Sequence, residues 1–260
     1  MRRRTLLAAA AAVGTTAVVA GFQGREPGAD PVIPAAPAGD ERLEQRWSRF
    51  RGRTVDFYTA VPAGHGAGQG LPVCLVLHGA STTAADFPRL GLGRFLTDAV
   101  RRGAPPFVLA GATGGKLSWR PSGGDDPQRL VHEEVPLWCK WRGFDISRRA
   151  AWGWSMGGYG ALLLAEAFPV FLRAVAAFSP AVLPEDDVFG ATRQLRGTPV
   201  GLWCGRQDAL YPDVRALAGA LPEPPAAGSY ADGRHNFGYW SRCIPAAFDF
   251  LAGALHRAAI

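Results

Sequence analysis

The stretch Gly153-Trp154-Ser155-Met156-Gly157, continued by Gly158, decides how the rest of this chain is read. It spells G-x-S-x-G and lies between two unlike runs. Ahead of it, Arg149-Ala150-Ala151-Trp152 is short and apolar, suited to a buried strand. Behind it, residues 159–168 are rich in Leu and Ala, and Pro169 stops them as it would stop a helix. Strand, glycine-flanked serine and helix together describe an elbow that lifts a hydroxyl above the edge of a sheet. Strand and helix pass so closely there that the residues two before and two after the serine must be small. Gly153 and Gly157 meet that need.

A serine hydroxyl is a weak nucleophile until a base takes its proton. Only His235 and His256 follow Ser155 in the chain. His235 lies in Asp232-Gly233-Arg234-His235-Asn236, a turn-rich loop before the last helical run, where a base can be presented. His256 falls inside that helical run and is expected to be solvated. An acid is needed to orient the imidazole, and Asp208 in Gly205-Arg206-Gln207-Asp208 follows a predicted strand. Asp213 is its near rival, placed in the following helix, while Asp186 and Asp187 read as a solvated loop. A developing oxyanion needs two backbone donors. The candidates are the N–H of Met156, directly after the serine, and that of Ala80 in His78-Gly79-Ala80-Ser81. His78 precedes the serine and reads as a residue that shapes this loop.

Outward from the elbow, apolar strands alternate with helical runs. Residues 53–62 alternate like an antiparallel strand. Strands are expected at 72–77, 106–111, 148–154, 174–178, 199–204 and 228–230. Helices are expected at 84–102, 128–141, 159–168, 214–221 and 239–256. That order implies an α/β fold, a mostly parallel sheet covered by helices on both faces. Ser155, Asp208 and His235 each follow a strand, so the sheet would gather them beyond one edge. Only residues 182–197 separate two of these strands, which leaves no room for a large lid and predicts an open cleft. Trp119, Trp154 and Trp240 either line that cleft or belong to the core.

Taken together, His78-Gly79, the Gly-Trp-Ser-Met-Gly-Gly elbow, Gly205-x-x-Asp208 and Gly233-x-His235 followed by Tyr239-Trp240 resemble the esterase D type of α/β-hydrolase. That group includes S-formylglutathione hydrolases, feruloyl esterases and mycolyltransferases. The likeness spans about residues 53–252 and is strongest to the exported, mycolyltransferase-like branch. It implies the α/β-hydrolase fold, with Ser155 as nucleophile, Asp208 as acid, His235 as base, and Ala80 and Met156 as oxyanion donors. Some relatives supply Glu as the acid. His132 matches no catalytic position of the family and reads as a helix-surface residue. The implied activity is hydrolysis of a small-molecule carboxylic ester through an acyl-enzyme, with no metal or organic cofactor. An acyltransferase and a non-catalytic binding protein on the same fold are the alternatives.

The ends and the composition set the remaining bounds. Arg2-Arg3-Arg4 is a charged leader start, residues 6–20 are apolar, and Val18-Val19-Ala20 offers a cleavage site before Gly21. Arg3-Arg4-Thr5-Leu6-Leu7 resembles a twin-arginine export signal, without the Ser or Thr that usually precedes the pair. The expected organisation is an export signal at 1–20, a Pro/Ala-rich linker at 21–42 and a catalytic domain at 43–260. The expected location is extracytoplasmic, with an uncleaved anchor as the alternative and no membrane insertion after cleavage. Hydrophobic residues make up 48% of the chain, too many for intrinsic disorder. The formal charge is +6, half of it from Arg2, Arg3 and Arg4, and the other arginines are scattered. A solvated basic surface follows from this, and no nucleic-acid partner is implied. Cys74, Cys139, Cys204 and Cys243 are too widely spaced for a zinc motif. Export would permit disulfides, but Cys74 sits in an apolar run and reads as a buried thiol.

Overall fold

The computed structural model describes residues 30–258. The export signal expected at 1–20, and the linker as far as residue 29, lie outside them. The fold is built on one eight-stranded sheet with the order β1-β2-β4-β3-β5-β6-β7-β8. β1 (Asp40–Ser48), β2 (Arg53–Val61) and β4 (Val108–Ala112) run antiparallel to their neighbours in turn. β3 (Pro72–Leu77), β5 (Asp145–Trp154), β6 (Val175–Phe178), β7 (Val200–Trp203) and β8 (Ala227–Ser229) continue the sheet in parallel.

The helices are α1 (Leu92–Arg101), α2 (Val135–Trp141), α3 (Met156–Ala167), α4 (Asp187–Ala191), α5 (Tyr211–Ala220) and α6 (Phe237–His256). β3 is buried at every position, because both faces of the sheet are covered. Its alternate residues feed different cores. Leu75 and Leu77 pack under α2, α3 and α5, whereas Cys74 and Val76 pack under α1 and α6. Each such side chain taken from water contributes about 1.5–3 kcal/mol. This is the α/β architecture that the alternation of runs predicted, and the α/β-hydrolase fold that the resemblance implied.

Register decides where the chemistry can sit. Leu77 pairs with Gly153, Trp154 with Phe178, and Phe178 with Trp203. The residues that follow these strand ends, among them His78, Ser155, Ser179 and Cys204, therefore emerge side by side at one edge. The connection from β6 to β7 holds only α4 and a 3-10 turn at Thr192–Leu195, so no lid domain is present there.

Several expectations differ from the structure. Strand structure is already present before Leu43: β1 starts at Asp40. Part of the expected linker is already bound to the domain. The Val32 N–H donates to Ser241 Oγ at 3.1 Å, and the Ala36 carbonyl accepts from Arg94 Nε at 3.0 Å. The helix expected at 84–102 is divided into a 3-10 turn, Ala84–Asp86, and α1. Pro88 lies between them, and Gly91 caps α1 with φ +73°, a left-handed conformation that favours glycine. The run at 128–141 contains a π-helical turn, Leu130–Glu134, ahead of α2. Pro136 has no N–H for the carbonyl one turn back, and the wider turn absorbs the missing bond. All four cysteines are buried free thiols. Among the described residues, no helix is long and apolar enough to cross a membrane.

Candidate active site

Ser155 caps α3 with φ 54° and ψ −122°, a conformation that L-residues rarely adopt. The cause is steric. A Cβ on Gly153 would lie 2.3 Å from the Gly157 carbonyl oxygen, and one on Gly157 would lie 1.9 Å from that of Leu77. Strand, elbow and β3 are thus pressed together around the serine. Ser155 is the one partly exposed residue between Ala151 and Gly160.

The elbow faces His235. The Ser155 hydroxyl is 2.9 Å from His235 Nε2, and His235 Nδ1 is 2.9 Å from an Asp208 carboxylate oxygen. A carboxylate only accepts, so Nδ1 donates to Asp208, which turns Nε2 towards the Ser155 hydroxyl. Asp208 also accepts from the Leu210 N–H at 3.0 Å. Burial pushes its carboxyl up, but the His235 contact, the Ser179 hydroxyl and the Leu210 amide together hold it below its ordinary value.

Two glycines bring the loops of Asp208 and His235 into contact. A Cβ on Gly205 would lie 2.2 Å from the Gly233 carbonyl oxygen. The Gln207 N–H donates to that same carbonyl at 3.0 Å, and the Gly233 N–H donates to Gln207 Oε1 at 2.6 Å. Gly233 also lies under the Tyr239 ring, 2.0 Å from any added Cβ. The spacing of Gly205, Asp208, Gly233, His235 and Tyr239 is therefore a packing requirement.

The loop after β3 is organised by His78, which is buried. Its Nδ1 lies 2.8 Å from the Gly79 carbonyl, and its Nε2 accepts from the Gly114 N–H at 2.9 Å. Burial lowers its pKa to about 4, so the ring is a neutral scaffold. The loop leaves β3 against the elbow, since a Cβ on Gly157 would also be 2.7 Å from the His78 carbonyl oxygen. Ala80 sits in this loop, partly exposed, and Met156 opens α3, where the first amides have no partner within the helix.

Other candidates fall elsewhere. Asp213 lies in the first turn of α5, and the contact to His235 is made by Asp208. His256 is exposed near the end of α6, with Nε2 2.9 Å from the Pro106 carbonyl. His132 is not a free surface residue: its ring stacks on Phe168, centroids 3.7 Å apart. Asp186 is buried, contrary to the solvated loop expected. It accepts from the Leu183 N–H at 2.7 Å and lies 3.8 Å from Arg120. Trp119, Trp154 and Trp240 are all buried and do not form an open cleft wall.

Sequence reading missed Glu166, in the Leu-rich body of α3. It is buried, and neither carboxyl oxygen has a partner among the described residues. Burial, and secondarily the charge of Asp187, raises its pKa to about 8 from an ordinary 4.5. The folded state therefore holds a proton that the unfolded chain releases above its lower pKa. The stability this gives is complete below that lower value and is lost as pH rises towards 8. Glu166→Gln is expected to remove this slope and to stabilise the protein by roughly 2 kcal/mol at neutral pH. Urea unfolding of both proteins from mildly acidic to mildly alkaline pH checks this, and parallel curves would contradict it.

Residues 48–217 match the sequence model of a family, Esterase, described as "Putative esterase". No curated protein matches the chain. Among solved structures, a ferulic acid esterase is 18% identical with a TM-score of 0.72, over 83% of this chain and 98% of its own. The S-formylglutathione hydrolase of Agrobacterium tumefaciens is 18% identical with a TM-score of 0.68, over 86% and 98%. MPT51 of Mycobacterium tuberculosis is 17% identical with a TM-score of 0.61, over 85% and 100%. At such identities these structures speak for the fold.

Proposed function

Because the chain belongs to this esterase family, whose activity makes it a serine esterase, we propose that Ser155, His235 and Asp208 hydrolyse small carboxylic esters through an acyl-enzyme. The observation that carries this reading is the unbroken line of contacts from Ser155 Oγ through both nitrogens of His235 to Asp208.

In this mechanism His235 Nε2 takes the Ser155 proton as Oγ bonds to the ester carbonyl carbon. Asp208 holds the ring in the productive tautomer and stabilises the imidazolium that forms. The amides of Ala80 and Met156 are proposed to receive the oxyanion. Collapse of the tetrahedral intermediate breaks the bond to the alcohol, which leaves with the proton from Nε2. Water then attacks the acyl-serine with His235 again as base, and the acid is released with Ser155 restored.

The short connection between β6 and β7 supports small, soluble substrates, since little chain is present there to cover a long acyl tail. An uncovered site also admits water, which competes with any acceptor alcohol. On p-nitrophenyl esters from acetate to palmitate, kcat/KM is expected to peak at short chains, and adding trehalose or glycerol should leave the free acid as main product. A rate that climbs to palmitate, with acylated sugar predominating, would replace hydrolysis by acyl transfer. We also read residues 1–20 as a removed export signal, followed by the linker and domain. An exported protein whose intact mass begins at Met1 would contradict that.

A further inference from the structure

Ser179 follows β6 directly and emerges at the same sheet edge as Ser155 and Cys204. It is fully buried and, at φ 40°, lies in the left-handed region that a serine occupies only when its surroundings impose it. Its N–H donates to the Trp203 carbonyl at 2.7 Å, which fixes the backbone. Its hydroxyl accepts from Trp240 Nε1–H at 3.0 Å. Trp240, on α6, sets its ring edge-on against the His235 ring, with centroids 5.0 Å apart and planes at 84°.

An indole N–H can only donate, so it occupies a lone pair of the Ser179 oxygen and leaves the hydroxyl hydrogen to be given away. The Asp208 carboxylate lies close enough to this hydroxyl to be held below its ordinary pKa by it, alongside His235 and the Leu210 amide. We propose that Ser179 and Trp240 are positioning residues of the triad: Trp240 braces the His235 ring and fixes the Ser179 hydroxyl, and that hydroxyl holds the Asp208 carboxylate. The proposal rests on the triad reading. Neither residue needs to touch substrate.

The Cys204 thiol shares this position, in reach of both the Asp208 carboxylate and the Ser179 hydroxyl, but brings no charge to it. The Cys204 thiol beside Asp208, and Tyr239, Cys243 and Tyr230 around that thiol, are all held neutral to high pH, chiefly by burial. The Ser179 hydroxyl turns the positive end of its dipole towards Asp208. Without it, the carboxylate attracts the imidazolium more strongly, and the low-pH limb of the activity profile moves up.

The test is the pH profile of kcat/KM on p-nitrophenyl acetate, with melting temperature alongside. Ser179→Ala is expected to raise the low-pH limb by about half a pH unit and to lower the plateau about tenfold. Trp240→Phe keeps an aromatic ring against His235 and removes only the N–H, so a smaller shift in the same direction is expected. The double variant should show the Ser179→Ala limb and no further shift. In proton spectra, the low-field His235 Nδ1–H resonance should move in both single variants; it also reads Trp240→Phe if Ser179→Ala does not fold. A uniform loss at every pH with an unmoved limb and resonance would overturn the proposal. So would an undiminished Trp240→Phe shift in the Ser179→Ala background. Fluorophosphonate labelling of the parent protein tests the triad separately. A chain labelled at Ser155 whose limb does not respond rejects only the pair.

Discussion

Ser155→Ala is expected to lower kcat on p-nitrophenyl acetate by roughly ten-thousand- to a million-fold while leaving the melting temperature nearly unchanged. The serine hydroxyl is the only part of the elbow that the backbone geometry does not use. Gly153 and Gly157 make the close approach to Leu77, and the φ of 54° is a property of the turn. Alanine keeps the backbone and loses the oxygen that would bond to the acyl carbon. What remains are the proposed oxyanion amides, which account for a small residual rate. Near-normal turnover in a folded Ser155→Ala protein would remove the acyl-enzyme from the account.

His235→Ala is expected to cost about as much, and the Ser155→Ala/His235→Ala double variant no more than either alone. Members of a triad act as a unit, because a hydroxyl without its base is as inert as a base without its hydroxyl. His256→Ala is the control. That side chain is exposed and meets the Pro106 carbonyl, so its removal should leave kcat unchanged. Kinetics of the four proteins decide the matter, and multiplied losses in the double variant would show that the two groups act independently.

Much of the fold could be read from patterns of two kinds. Short apolar runs such as Val73 to Leu77 must be buried on both faces, and the glycines around Ser155 and before Asp208 and His235 mark close approaches that no other residue permits. β1 escaped because its side chains are largely solvated and mixed in character, with Leu43 and Trp47 exposed, so no clean alternation betrays it. The turn before α1 and the π turn before α2 escaped because proline effects are local and a helical run tolerates more than one response to them. Asp208 could be told from Asp213 because it directly follows a strand in Gly205-Arg206-Gln207-Asp208, whereas Asp213 falls in the helix beyond. Ser179 and Glu166 carry no sequence signal of what they touch, and Trp240 shows in the sequence only as part of the Tyr239-Trp240 pattern. Each depends on partners distant in the chain, as in the approach of α6 to the loop after β6.

The central claim is that Ser155 is the nucleophile and His235 activates it. Its most direct measurement is intact-mass and peptide mapping of the full chain after reaction with a fluorophosphonate, in parent, Ser155→Ala and His235→Ala forms. One adduct on Ser155 in the parent, none in Ser155→Ala, and strongly slowed labelling in His235→Ala are the expected results. An adduct on another residue, or labelling of Ser155→Ala at the parent's rate, would contradict the account.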